Sequence, residues 1–160
     1  MYRIGVISDT HGYLDPQLER LFKGVDHILH AGDVGQPWLV MELESIAPVT
    51  AVLGNTDYDL NLRSTEVLRL AGRKILLHHI VSLPTPDPLI GGRIAREKPD
   101  LVVFGHTHRS HLKRTDLVTY LNPGYAGRRK MGVSRSVATI ECRDADMCIQ
   151  FHDLEVSSRE

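Results

Sequence analysis

Cysteine is scarce in this chain: Cys142 and Cys148 are the only two. They lie in apolar runs separated by Arg143, Asp144, Ala145 and Asp146, and can face each other across a hairpin. Neither has the CxxC neighbour of a thiolate metal site, so buried free thiols are expected rather than a disulfide or a zinc-thiolate centre. Charge of one sign is also missing. A formal net charge of -1 and an aromatic content of 6% supply neither a broad basic field nor stacking platforms, so a nucleic-acid partner is possible but not favoured. Long apolar runs are absent too. In MYRIGVISDTHG the apolar stretch is too short for a signal-peptide core and is broken at Asp9 and His11, so a cytoplasmic protein with no membrane partner is expected.

What remains is the composition of an ordinary globular protein, with 42% hydrophobic and 24% charged residues. A chain of 160 residues suits one domain, here 1–160, burying roughly two-thirds of its unfolded surface. Residues 155–160 are polar enough to fray. The chain alternates at first between β-like and helical patterns. Ile4 to Ser8 reads as a strand and Asp15 to Lys23 as a helix; His27 to Ala31 and Pro37 to Ile46 repeat the pair, and Val49 to Leu53 adds a third strand. Such alternation predicts parallel strands with crossover helices. Glu66 to Ile80 then reads as a hairpin turning at Ala71, Gly72 and Arg73. A helix from Pro88 to Glu97 follows, with strands at Leu101 to Phe104, Val118 to Leu121, Ser134 to Cys142 and Met147 to Phe151. The fold class expected is α/β, a sandwich built on two sheet layers.

Histidine is the enriched chemistry, and five of the nine fall in three short clusters. Asp9 with His11, Asp33, Asn55 with Asp57, His78 with His79, and His106 with His108 each follow a predicted strand. In open α/β sheets the crevice beyond the strands' carboxyl ends binds ligands, so these loops can converge there. Imidazole, carboxylate and amide oxygen together suit divalent metals such as Mn, Fe or Zn better than an all-oxygen calcium cage. An aspartate shared by two cations about 4 Å apart offsets their repulsion, and Asp33 is the candidate bridge.

SDTHG at Ser8 to Gly12, AGD at Ala31 to Asp33, GNTD at Gly54 to Asp57 and GHTH at Gly105 to His108 together resemble the calcineurin-like metallophosphoesterases, in particular their compact bacterial and archaeal phosphodiesterase branch. The resemblance implies an αββα sandwich of metallophosphoesterase type and a metal-dependent hydrolase that cleaves phosphodiester bonds with a hydroxide activated by a dinuclear centre. It implies one cation on Asp9, His11, Asp33 and His108, and a second on Asp33, Asn55, His78 and His106. Two divalent ions are therefore expected, Mn²⁺ first, with Fe, Zn, Ni or Mg as alternatives. Asp33, Asn55 and His106 are the residues on which catalysis is expected to depend.

The family usually follows the hairpin histidine with glycine, whereas here His78 precedes His79. Strand alternation sends the two rings to opposite faces, and His78 is preferred as the ligand. His79, Asp57 and Asn122 are candidates for supporting the ligands or touching substrate. Many relatives place a histidine after the Gly-Asn pair to help expel the leaving group, and here that position is Thr56. A threonine hydroxyl is a poor general acid, which favours small phosphodiesters with good leaving groups, a nucleotide among them. Asn122, Pro123 and Gly124 resemble a family turn near the site mouth, and Arg128, Arg129 and Lys130 after it read as a solvated loop more readily than as a phosphate clamp. The readings from other classes are an interaction scaffold, like the retromer subunit that shares this fold, and a nuclease acting on DNA or RNA. The complete ligand set speaks against the first.

Overall fold

Strand propensity and apolar alternation build two five-stranded sheets, seen in a computed structural model that describes residues 1–154. The expected fraying at 155–160 lies outside the described residues. The first sheet contains β1 (Tyr2–Ile7), β2 (His27–His30), β3 (Val49–Ala51), β9 (Ser136–Arg143) and β10 (Asp146–Asp153), in the order β10-β9-β1-β2-β3. The second contains β4 (Thr65–Leu70), β5 (Arg73–His78), β6 (Leu101–Val103), β7 (His111–Arg114) and β8 (Thr119–Asn122), in the order β4-β5-β6-β8-β7. β1, β2 and β3 are parallel, as are β5, β6 and β8, while β9 pairs antiparallel with both β1 and β10, β4 with β5 and β7 with β8.

Period-2 alternation divides the apolar residues between layers. Ile4, Val6 and Leu29 of the first sheet pack against Ile75, Leu77, Leu101 and Val103 of the second, forming the core between the sheets. Ile7 and Ile28 face outward, under Leu18 of α1 (Leu18–Leu21) and Leu39 and Leu43 of α2 (Pro37–Glu44). Leu76 and Val102 face the other outer layer, under Ile90 and Ile94 of α3 (Pro88–Glu97). Helices thus cover both outer faces, as the αββα expectation requires. The helix α3 starts where Asp87 accepts hydrogen bonds from the N–H groups of Leu89 and Ile90 and Pro88 opens the first turn, and it stops at Lys98 in a left-handed conformation.

Three expectations need correction. The first helix is only Leu18–Leu21, because Asp15 to Gln17 form a turn in which the Asp15 carboxylate accepts from the Gln17 N–H. A fifth strand of the second sheet, β7, has no counterpart in the sequence reading; its run HLKR is an exposed edge with one inward apolar residue, Leu112. The cysteines do not face each other: Cys142 pairs with Met147 and Cys148 with Glu141, leaving Cys142 buried and Cys148 exposed. Among the described residues, no helix is long and apolar enough to cross a membrane.

Candidate metal centre

The parallel strands β1, β2, β3, β5 and β6 deliver their following loops to one end of the sandwich. Asp9 and His11 follow β1, Asp33 follows β2, Asn55 follows β3, His79 follows β5, and His106 and His108 follow β6. The loops are stitched by main-chain bonds: the N–H groups of Asp9, His11 and Gly12 donate to the carbonyls of Gly32, Asp33 and Val34, and Gly105 N–H donates to His79 O. Glycines in the motifs permit close approach. A Cβ at Gly54 would lie 2.1 Å from Asp33 Oδ1, and one at Gly105 would lie 2.1 Å from Ser8 Oγ and 2.7 Å from Asp9 Oδ2. Aspartate and histidine occupy the strained positions themselves. Of the eight non-glycine residues with positive φ among those described, five are Asp9, His11, Asp33, His106 and His108, the others being Ala71, Lys98 and Asp144.

The two carboxylates organise the cluster. Asp9 is fully buried; its Oδ2 accepts from Ser8 Oγ at 2.7 Å and from His106 N–H at 3.1 Å. Its Oδ1 is buried and, among the described residues, accepts no hydrogen bond, yet three imidazole nitrogens face it: His108 Nε2 at 3.3 Å and Nε2 of His11 and His79, each at 3.9 Å. Asp33 Oδ1 accepts from Thr56 N–H at 2.9 Å, so it is Oδ2 that faces both sides, 3.2 Å from His79 Nε2 and 3.7 Å from His11 Nε2. Asn55 Oδ1 stands 3.0 Å from His79 Nε2 and 3.0 Å from His106 Nδ1. A buried anionic oxygen with no donor, ringed by nitrogen and oxygen lone pairs, is an unfavourable arrangement that a cation corrects. The groups Asp9, His11, His108 and Asp9, Asp33, His79 each bring ligand atoms within 4.8 Å of one another.

His79, rather than the expected His78, joins this cluster. His79 lies on the face of Ile75 and Leu77, toward the space between the sheets; its Nδ1–H donates to Ala31 O at 2.7 Å, which leaves Nε2 directed at Asp33 and Asn55. His78 shares the opposite face with Leu76, under α3, and its Nδ1 meets Thr65 Oγ1 at 2.8 Å. Strand alternation decides the matter: the residue two after Leu77 inherits its inward direction, and the residue between does not. Burial alone would lower the His79 pKa, but its bond to Asp33, the Asp9 charge and Ala31 O together raise it. For Asp33, burial works upward and is outweighed by the bonds from His79 and Thr56, leaving the carboxyl well below its usual range.

The other singled-out residues have definite places. Asp57 accepts from the N–H groups of Val34 and Gly54 through Oδ2 and of Gly35 through Oδ1, tying the β2 and β3 loops together. Asn122 Nδ2 donates to Gly105 O and Thr107 Oγ1, and its Oδ1 accepts from Gly124 N–H, so it props the His106–His108 loop from below. Thr56 contributes its main-chain N–H to Asp33. Two supports escaped the sequence reading. Ser8, inside SDTHG, holds Asp9; and His30, fully buried, accepts Gly32 N–H at Nδ1 and meets Thr10 Oγ1 at 2.9 Å through Nε2. Its alternation in HILH marks a buried polar residue but not the partner that waits for it. The basic loop also comes close: Lys130 Nζ lies 5.2 Å over the Tyr125 ring, which packs 4.7 Å from the His108 ring.

Residues 2–145 match the model of the calcineurin-like phosphoesterase superfamily domain. The chain belongs to that superfamily. Among members of this metal-dependent superfamily, a probable metallophosphoesterase of Methanocaldococcus jannaschii is 38% identical over 128 residues, 76% of this chain and 66% of that protein. A phosphodiesterase of the same organism is 25% identical over 139 residues, covering 76% of this chain and 82% of that one. The solved structure of Chaetomium thermophilum Vps29 shares the calcineurin-like phosphoesterase fold, with a TM-score of 0.80 at 17% identity over 99% of this chain and 88% of that chain.

Proposed function

We propose that this chain is a phosphodiesterase that holds two divalent cations, one on Asp9, His11, Asp33 and His108 and the other on Asp33, Asn55, His79 and His106. The observation that carries the reading is Asp33 Oδ2, which faces imidazoles of both groups, with Asp9 Oδ1 buried and unbonded beside it. Mn²⁺ suits this mixed nitrogen and oxygen set. When bound, such cations neutralise phosphoryl oxygens and make a water acidic enough to attack at neutral pH.

The chain's own groups then have defined tasks. Asp33 is fixed by the Thr56 N–H and Asp9 by Ser8 and His106 N–H, so neither carboxylate must reorganise when charge builds on the phosphate. His79 is held by Ala31 O in the tautomer that presents Nε2 to the cluster. Hydrolysis joins a water oxygen to phosphorus and breaks the phosphorus–oxygen ester bond, and the departing alkoxide takes a proton. Thr56 offers only a weakly acidic hydroxyl for that proton, so esters of acidic alcohols are favoured and the roughly 10²–10⁴-fold help of a general acid is absent at this position. A small phosphodiester, with a nucleotide derivative among the candidates, fits these demands, and the archaeal phosphodiesterase relative supports it.

Metal-stripped protein is expected to be inactive on bis(p-nitrophenyl) phosphate and to regain activity with Mn²⁺, while Asp33→Asn and His106→Ala remain folded and inactive. If fully metallated wild type hydrolyses no aryl phosphodiester, nucleotide or cyclic nucleotide, the catalytic reading fails and an interaction role takes its place.

A further inference from the structure

A cleft of about 660 Å³ opens beside the cluster, between the segment that follows His79 and the loop that carries His106. His106 belongs to both: its ring meets Asn55 on the side of the cluster, and the residue also lines the cleft. Part of the wall is apolar, with Val81 and Phe104 buried and Leu83 half-buried. At the rim stand Arg109 and His111, and the His111 ring meets Phe104 edge-on at 6.5 Å. Among the described residues, no carboxylate lines the cleft. The size lies within the ~300–1,000 Å³ of small-molecule pockets, and an apolar base with a few donors at the mouth is how such pockets fix orientation.

We propose that this cleft receives an aromatic ester group of the substrate, of nucleoside type, while the phosphate sits at the cluster; the inference rests on the phosphodiesterase reading above. Phe104, Leu83 and Val81 offer apolar surface to a planar ring, and Arg109 and His111 offer donors to ring nitrogen and carbonyl acceptors. An aliphatic ester would leave those donors unused, and a cationic group would meet Arg109. The absence of carboxylates suits a ligand that carries a phosphate at its inner end.

Two diesters with the same leaving group test this with the Mn²⁺-loaded full chain: methyl p-nitrophenyl phosphate and thymidine 5′-(p-nitrophenyl phosphate). Wild type is expected to show a KM about tenfold lower for the thymidine ester, the scale of one base stacked on protein. Ser110→Trp, an exposed rim position that projects bulk into the cleft, is expected to erase that difference while hydrolysing the methyl ester as before. Leu83→Ala, which removes part of the wall, is the second variant and is expected to raise KM for the thymidine ester alone. Equal KM values for both esters in wild type, or equal losses on both in Ser110→Trp, overturn the proposal. Thymidine titrated into metal-free protein and followed by NMR gives a readout independent of turnover. Shifts at Val81 and Phe104 that Ser110→Trp abolishes support the cleft even where no diester is hydrolysed and the phosphodiesterase reading itself falls; no shifts there overturn the cleft.

Discussion

Replacing His79 and His78 one at a time separates the two rings of the His-His pair. His79 is 2% exposed, and its ring contacts Ala31 O, Asn55 Oδ1 and Asp33 Oδ2 at 2.7, 3.0 and 3.2 Å. His79→Ala removes a donor from two oxygens that stay largely buried, which costs about 1–3 kcal/mol of metal-free stability. It also removes a nitrogen from the proposed cation site. Loss of a group that only supports a ligand lowers metal affinity about 10–100-fold, so loss of a ligand is expected to cost about 100-fold or more, or ~2.7 kcal/mol and upward. His78→Ala breaks one bond, to Thr65 on the α3 side, costing about 0.5–1.5 kcal/mol of stability and no metal affinity. Titration calorimetry with Mn²⁺ reads the affinities, and urea unfolding of the metal-free proteins reads the stabilities. Equal losses of Mn²⁺ affinity in the two variants, or a greater loss in His78→Ala, would refute the assignment by strand alternation.

The close approach of the glycine loops is open to a similar trial. Gly105→Ala places a methyl 2.1 Å from Ser8 Oγ, so the Ser8–Asp9 bond must yield; an overpacking cost of about 1–3 kcal/mol and a ~10–100-fold loss of Mn²⁺ affinity are expected by calorimetry. Gly92→Ala in α3, where a Cβ meets nothing within 4 Å, is the control and is expected to leave Mn²⁺ binding unchanged. Acid titration probes His30, whose buried ring has its pKa lowered from 6.5 to about 3 by desolvation first and by neighbouring His79 next. Between those values the unfolded chain binds a proton that the folded chain refuses, so stability is full above pH 6.5 and falls as pH drops, by about 1.4 kcal/mol per unit or ~2 kcal/mol at pH 5. His30→Asn is expected to lessen this slope by about one proton in urea unfolding of metal-free protein; parallel slopes for variant and wild type would count against it.

Much of the fold was legible because its signals are local. The hairpin turn at Ala71 and Gly72 and the helix Pro88–Glu97 stand where turn residues, the Asp87 cap and Pro88 put them. The loops that carry the candidate ligands were legible because each follows a strand in an open α/β arrangement, which sends distant loops to one crevice. The choice between His78 and His79 was not, and the reason is specific. Ile75, Leu76 and Leu77 are all apolar because β5 is covered on both faces, by the other sheet and by α3. A strand buried on both sides shows no hydrophobic alternation, so its phase is hidden until the packing is known. The edge strand β7 was hidden for the opposite reason: three of the four residues in HLKR are exposed and only Leu112 turns inward, which is too little alternation to read.

The same geometry explains why strain and unsatisfied polarity coincide at one end of this molecule. Left-handed conformations at Asp9, His11, Asp33, His106 and His108 cost of order 1–3 kcal/mol each, and the unbonded Asp9 Oδ1 adds a further penalty. They persist because the surrounding bonds over-determine them. Main-chain bonds from Asp9, His11 and Gly12 lock the β1 loop onto the β2 loop, Asp57 ties the β2 loop to the β3 loop, Asn122 holds both sides of the His106 turn through Gly105 O and Thr107 Oγ1, and Ser8 holds Asp9. The bond from His106 N–H to Asp9 Oδ2 then joins the two sheets' loops directly. A site whose side chains were placed only for stability would relax these angles and give Asp9 Oδ1 a donor. Instead the fold spends main-chain bonds to keep three imidazole nitrogens and an aspartate oxygen converging, an arrangement whose energy falls when positive charge enters it.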